Sequence, residues 1–441
     1  PNLFYVQDSA RALTSDILKL IFGPRERWDF GVRLWDGTTL SGAGEPRFML
    51  VLNEPSALRT AFTPPLDLNP GKAFVEGIID IEGNAEAAVD TMASAFSDVA
   101  PHRIAALGIR LLRLPKAQST DTHPQPQLHG RMHSRVRDSA VIGFHYDQPV
   151  SFYGLFLGED LVYSCGYYDE GVDTVNDAQR SKIDHTLRKL RLRPGERLLD
   201  IGCGWGSLVI RAAKVFGAHA VGITLSRRQY EEARRRIAEA GLEGRASVEL
   251  CDYRDLGERT FDKIVSVGMV EHVGRSRLAE YFRAARDALR PGGFFLNHGI
   301  ADQTPRRRGF RSSGFLARYV FPDGELIPIS DMLRFAERNG FEVRDVENLR
   351  EHYARTLRDL VRNLERHRDA AIGATDERTY RIWRLYMAGR AQGFSRGNMG
   401  LFQSLLGKPD IEGRTPVPST RRDLYRLPGT QASSLAMPEQ V

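Results

Sequence analysis

Two groups of residues have types and spacing that can do chemistry. The first is the run LLDIGCGWG from Leu198 to Gly206. An apolar strand ends in Asp200 and is followed at once by Gly202, Gly204 and Gly206, with a helix opening at Ser207. Glycines there let the backbone turn sharply and approach a ligand closely, and a strand end places that ligand beyond the carboxyl edge of a sheet. The dinucleotide fingerprint GxGxxG is not met, because Ser207 stands where its last glycine belongs. The second group is Cys165, Glu271, His272 and His298. Cys165 lacks a His/Asn pairing at recognisable spacing, so an ordinary buried cysteine outweighs a nucleophile. Glu271 and His272 are adjacent, and neighbours on one element do not face one ligand, so no metal site is expected. His298 closes a strand-like run on the same ligand-bearing edge.

These residues need a sheet to hold them. From Arg197 onward the pattern is strand, tight turn and helix, repeated: RLLDIG, AVGITL, SVELCD, FDKIVSVG and FFLNHG are short apolar runs separated by helix-length segments. Such near-continuous apolar strands belong to a sheet covered by helices on both faces. Residues 1–115 alternate differently, with a helix expected over Ala10 to Phe22 and strands in FGVRLWDG and RFMLVLN, which predicts a smaller N-terminal α+β domain. Residues 116–138 have a linker composition, rich in Pro, Gln and His without apolar period. The second domain is expected over 139–410. A basic, aromatic stretch at 301–330 interrupts it, and helices are expected to resume from Ser330. The polar tail 411–441 has no core-forming pattern and is expected to be mobile.

A chain of 441 residues suits two cores. Its 62 Lys and Arg against 56 Asp and Glu leave a formal charge of +6. The excess gathers in RGFRSSGFLARYV, around Arg308, Arg311 and Arg318, interleaved with Phe310, Phe315 and Tyr319; that pattern suits an anionic surface such as lipid head groups. The mild charge and the lack of any recognisable nucleic-acid module argue against a nucleic-acid partner. No window reaches the ~18 apolar residues of a membrane span, so membrane contact is expected from the surface. Three cysteines without a CxxC pair, and no charged-then-apolar leader, predict a reducing cytoplasm. The sequence leaves the oligomeric state open, a homodimer included.

The glycine spacing after Asp200 is of the methyltransferase kind. LDIGCGWG, ITLSRRQ, the run Cys251-Asp252-Tyr253-Arg254-Asp255 and VSVGMVEHVG, in that order, resemble the cyclopropane-fatty-acyl-phospholipid synthases, a family that includes the mycolic acid cyclopropane synthases. The resemblance spans about Gly143 to Gln403. GKAFVEGIIDIEGN resembles a segment of the N-terminal extension of the phospholipid-acting members, which implies that residues 1–115 are a lipid-binding-type domain and, with the basic stretch at Arg306 to Arg318, the candidates for holding lipid. The implied fold is a Rossmann-like class I α/β methyltransferase, a seven-stranded, mostly parallel sheet with helices on both faces. The implied cofactor is S-adenosylmethionine: Tyr163 and Ser164 close over its methionine moiety, Asp200, Gly202, Gly204 and Gly206 form the loop beneath, Thr224, Leu225 and Gln229 meet the ribose, and Asp252 with Tyr253 brackets the adenine.

The implied activity is methyl transfer to the cis double bond of an unsaturated acyl chain in a phospholipid, at the inner membrane surface. The alkene attacks an electrophilic methyl, so the site needs an aromatic, water-poor pocket for the positive charge that develops, and then a base. Phe144, Tyr146, Phe152, Tyr153, Tyr167, Tyr168, Phe315, Tyr319, Phe321 and Tyr353 are candidates to line it. In the resembled family the base is a bicarbonate ion. The matching holders here are Cys165, Glu271, His298, the Ile300 amide and Tyr353, with Tyr353, His298 and the Ile300 amide donating and Glu271 accepting. The family's HYDxxNDFY segment stands here as His145-Tyr146-Asp147-Gln148-Pro149-Val150-Ser151-Phe152-Tyr153. Val150 and Ser151 replace Asn and Asp, which leaves acyl specificity and the choice between ring closure and a methylene or methyl branch open. A methyltransferase for a soluble small molecule would use the same cofactor loop.

Overall fold

The computed structural model describes residues 3–95, 101–117, 128–304, 310–311 and 314–425. Residues 118–127 of the expected linker, Arg306 to Arg308 of the basic stretch, and the tail from residue 426 lie outside the described residues. The expected linker ends earlier than 138, because residues from Arg135 on already belong to the helix Arg135–Tyr146. The N-terminal region opens with a helix, Leu3–Phe22, longer than its periodic core predicts. Four short strands follow: β1 (Gly31–Arg33), β2 (Thr39–Ser41), β3 (Phe48–Leu52) and β4 (Ile79–Gly83). They pair in the order β2-β1-β3-β4, β1 lying parallel to β3 and the outer pairs antiparallel. Trp28, Phe30 and Phe48 stack in a row inside this core, with centroids 5.1 Å apart at each step.

The five apolar runs form β5 (Arg197–Ile201), β6 (His219–Thr224), β7 (Ala246–Leu250), β8 (Phe261–Val267) and β9 (Leu289–Asp302). After a two-stranded ribbon of β10 (Phe310–Arg311) and β11 (Glu325–Leu326) come β12 (Glu342–Asn348) and β13 (Met399–Gly407). The seven-stranded sheet has the order β12-β13-β9-β8-β5-β6-β7, parallel from β9 to β7, with β13 inserted antiparallel. Leu198 packs with helix Ser207–Phe216 and its neighbour Leu199 with helix Leu278–Asp287, so successive side chains of β5 enter cores on opposite faces. That alternation is why the strand reads as continuously apolar. The expected seven-stranded α/β fold is present. Two of its strands are not among the five runs: β12 and β13 lie where only helices were expected.

Two further corrections concern the C-terminal half. The described part of the tail is docked: Leu424 is buried, its carbonyl accepts from Arg188 Nε at 3.0 Å, and Asp423 pairs with Arg191 at 2.8 Å. The aromatic stretch also meets the N-terminal region. The Phe315 amide donates to the Asp67 carbonyl at 2.8 Å, and a Cβ at Gly71 would lie 2.3 Å from the Phe315 ring.

Helix Glu377–Ser395 joins the N-terminal sheet to the rest. β4 is an edge strand, and an exposed edge leaves carbonyls without donors. Arg384 supplies them: it donates to the Ile81 carbonyl at 2.8 Å, the Gly83 carbonyl at 3.1 Å and the Glu365 carboxylate at 2.6 Å. One turn earlier, Arg381 donates to the Phe74 carbonyl at 3.0 Å and to Asp80 at 2.8 Å. Arg384→Ala strands two carbonyls and a carboxylate at this junction, so it should cost about 2–4 kcal/mol. A thermal melt should show a clearly lower midpoint. A melt superimposable on wild type would contradict this view of the junction.

Candidate active site

The order of the large sheet reverses at β5, and the crevice beyond the carboxyl ends of β5 and β8 is where an open α/β sheet binds ligands. The loop after β5 fills this place. Gly202, Gly204 and Gly206 have φ of 82°, 54° and 83°, a region that side chains rarely enter. The amides of Gly202 and Cys203 both donate to the Ile223 carbonyl at 3.0 Å, pinning the loop to β6. A cavity of about 130 Å³ opens above it, lined by Tyr163, Ser164, Asp200, Gly202, Gly204, Thr224, Leu225, Gln229 and Tyr253. Nine of the eleven residues expected at the cofactor are thus brought together.

The other two are not. Gly206 serves packing, since a Cβ on it would lie 3.1 Å from that of Ala233. Asp252 is turned away, because Arg254 takes both of its oxygens, at 2.8 and 2.6 Å, and bridges on to Asp138 at 2.9 Å. Cys251 and Tyr253, on either side, line the cavity instead. At the end of β6, Thr224 donates to the Gln229 side-chain carbonyl at 2.8 Å, and Ser226 caps the helix that carries Gln229. The Asp200 Oδ1 is buried without a partner, and burial pushes this carboxyl up to about 7.

Lys182 was not singled out from the sequence. It is 2 % exposed, lines the same cavity and donates to Ser164 Oγ at 3.0 Å. Burial lowers its ammonium to about 8. Cys165 and Asp200 also act on its charge, and a buried ammonium that donates to a neutral hydroxyl attracts an anionic group such as an amino-acid carboxylate. Only the tertiary fold reveals it, because helix Val175–Lys189 reads as a polar helix yet buries nine of its fifteen residues.

A second cavity of about 80 Å³ shares Tyr146, Tyr163, Ser164, Gly268 and His272 with the first, and adds Cys165, Glu271, His298, Ile300 and Tyr353. All five expected residues converge here. Glu271, on the short helix Val270–Val273, has Oε1 bonded to the Ile300 amide at 2.6 Å and Oε2 buried without a partner. The expectation that this amide points at an anion is corrected, because Glu271 itself occupies it. Burial raises the Glu271 carboxyl to about 7. His298 is 1 % exposed and held well below its ordinary pKa by burial, hence neutral. Gln403 Nε2 lies 3.2 Å from its Nδ1, so the proton sits on Nε2, which is buried and unpartnered. Cys165 is fully buried, its thiol pushed up by burial, with Sγ 3.1 Å from the Gly166 carbonyl; that is no environment for a thiolate nucleophile.

Of the ten aromatic candidates, Tyr146, Phe321 and Tyr353 line this second cavity. Phe152 and Tyr153 are core, with no exposure. Tyr167 is sandwiched between His185 and His352, and Tyr168 donates to Asp359 at 2.6 Å. Phe315 borders a different cavity, Tyr319 packs against it at 5.1 Å, and Phe144 lines neither site cavity. Tyr386 and Arg390, not singled out from the sequence, line it too, as does His272, which the sequence offered only as a metal partner of Glu271.

The family described as Mycolic acid cyclopropane synthetase matches residues 133–404. A "Probable fatty acid methyltransferase" of Pseudomonas putida is 40 % identical over 400 residues, covering 90 % of this chain and 96 % of that protein, so the likeness runs well into the N-terminal region. The "Probable fatty acid methyltransferase Rv3720" of Mycobacterium tuberculosis is 34 % identical over 396 residues, 87 % of this chain and 92 % of that one. The crystal structure of mycolic acid cyclopropane synthase CmaA1, complexed with SAH and CTAB, superposes with a TM-score of 0.57 at 32 % identity, covering 61 % of this chain and 98 % of its own. With the glycine loop, the cavity above it and these likenesses together, the chain belongs to the mycolic acid cyclopropane synthetase family and is an S-adenosylmethionine-dependent methyltransferase.

Proposed function

We propose that the chain transfers a methyl group from S-adenosylmethionine to the cis double bond of an unsaturated fatty acyl chain carried by a phospholipid at a membrane surface, giving a cyclopropane fatty acid. The observation that carries this reading is the meeting of the two cavities at Tyr163 and Ser164. One holds the cofactor loop, and the other is aromatic and has Glu271 Oε2 and His298 Nε2 among its buried polar atoms without partners. The names of the similar proteins, fatty acid methyltransferases and a cyclopropane synthase, support a lipid substrate. Among the described residues no helix is long and apolar enough to cross a membrane, and the reading needs none.

S-Adenosylmethionine supplies an electrophilic methyl group. Lys182 is placed to pair with its carboxylate, while Tyr163 and Ser164 border both cavities and orient the reacting groups toward one another. As the alkene carbons take up the methyl, positive charge develops on the substrate. Tyr146, Tyr163, Tyr353 and Phe321 line the space around it with aromatic side chains, which would exclude water and stabilise that charge. A bicarbonate ion fits the two partnerless atoms: His298 Nε2–H donates to an oxygen, Glu271 Oε2 accepts an O–H, and Tyr353 lies within the same wall. Bound there, it would supply a base. A ring closes when the proton leaves the added methyl as its carbon bonds the cationic carbon, a methyl-branched alkene forms when the proton leaves a neighbouring chain carbon instead, and the same residues serve either.

Two outcomes are expected. Gly204 has φ +54° and no atom within 4 Å of a Cβ position, so the side chain of Gly204→Val would be strained and would protrude into the cavity. Calorimetric titration should find S-adenosylmethionine binding lost, and an unchanged affinity would refute the loop assignment. Separately, Glu271→Ala and His298→Ala should keep cofactor affinity while transfer of labelled methyl to phospholipid vesicles slows on the order of a hundredfold to ten-thousandfold. The wild-type rate should fall in buffer stripped of carbon dioxide and recover with added bicarbonate. A rate indifferent to bicarbonate would make a side chain the base.

A further inference from the structure

A third cavity, of about 350 Å³, lies between the N-terminal sheet and helix Glu377–Ser395. Its walls include Phe48, Phe62, Phe74, Phe315 and Leu385, and among the described residues Asp67 and Arg390 are the only charged side chains along it. Leu66, 42 % exposed, borders it. Two residues of helix 377–395, Tyr386 and Arg390, belong to its wall and also to the wall of the catalytic cavity. The two spaces are therefore neighbours across a single helical turn. An apolar space of this size offers water few hydrogen-bond partners and leaves its lining short of dispersion contacts. A hydrocarbon chain supplies those contacts.

Gly389 sits in the same turn. A glycine inside a helix is about 1 kcal/mol worse than alanine, so its presence needs a reason. Backbone geometry gives none, because its φ lies outside the left-handed region. Packing gives none either: a Cβ there would meet only Val89 Cγ1, at 3.9 Å, an ordinary contact. Gly393, one turn on, differs, since a Cβ there would collide with Met399 Cε at 2.5 Å. What the absent side chain of Gly389 does provide is open volume beside Tyr386 and Arg390, the residues common to both walls.

We propose that this cavity binds the saturated stretch of the substrate's acyl chain on one side of the reacting double bond, with Tyr386, Gly389 and Arg390 forming the passage to the catalytic cavity. The inference rests on the lipid reading above and adds to it a length-selecting site built with the N-terminal region.

The test uses the full chain, S-adenosylmethionine and phosphatidylglycerol vesicles in two series of cis-monoenoic lipids. One series varies the methylenes between carboxyl and double bond, the other those between double bond and methyl end. Gly389→Phe should lose kcat/KM by roughly fourfold for each methylene it excludes, on the long members of one series only. Members whose chains end before the passage, and calorimetric cofactor affinity, should stay near wild type. Val89→Phe, on the facing helix, should give the same pattern and replaces Gly389→Phe if that variant does not fold. Binding of the fluorescent fatty acid cis-parinaric acid should weaken in both variants. An active wild type whose variants are indifferent to chain length, or slowed equally at every length, overturns the cavity assignment alone. A wild type that methylates no acyl chain while still binding cis-parinaric acid in a Gly389-dependent way overturns the proposed reaction and leaves the hydrocarbon site standing.

Discussion

Polar groups placed at the carboxyl edge of a sheet that is covered on both faces have only the crevice between the strand ends in which to find partners. The active site follows from that constraint. Asp200 at the end of β5, Glu271 after β8 and His298 in β9 are all held where water is scarce, and each keeps one polar atom without a protein partner. Burial shifts each toward its neutral form, with Asp200 and Glu271 raised to about 7 and His298 lowered. Lys182 is the complementary case, a cation buried against a hydroxyl. Such groups are costly in an empty protein and favourable beside a ligand that completes them, which is the expected condition of a site organised in advance for charge that arrives with the reactants.

A second dependence runs through helix Glu377–Ser395. One face ties the β4 edge through Arg381 and Arg384, while the next turn gives Tyr386 and Arg390 to the catalytic wall. The stability of the junction and the shape of the site are therefore coupled. The family match begins at residue 133, yet the helix within it is anchored by residues that precede it. In this chain the N-terminal region, helix Glu377–Ser395 and the pair Phe315 and Leu316 together wall the third cavity.

What could be read from the sequence was whatever is encoded locally. The glycine loop after Asp200 and the five apolar strands declare themselves within a few residues, and the family likeness carried Cys165, Glu271, His298 and Tyr353 to one cavity. The misses have a common physical cause. Strand β13 contains Gln403 and Ser404, polar residues that look unsuited to a buried strand; Gln403 is fully buried because Thr186 and His298, distant in sequence, receive its amide. Asp252 looked like a ligand-facing acid, but Arg254 two residues on consumes it. The Ile300 amide was assigned to an anion, and Glu271 from another element takes it. Lys182 and Gly389 carry no local signal, since their meaning lies in what they face across the fold.

The central claim is that this fold brings a sulfonium methyl to the double bond of an acyl chain. The most direct measurement is mass spectrometry of total fatty acids from cells that express the chain, compared with cells expressing the Gly204→Val variant. The account predicts monounsaturated chains converted to species heavier by one CH₂, only in cells with the unaltered loop. Unchanged fatty acids, with the added methyl appearing instead on a water-soluble metabolite, would contradict it.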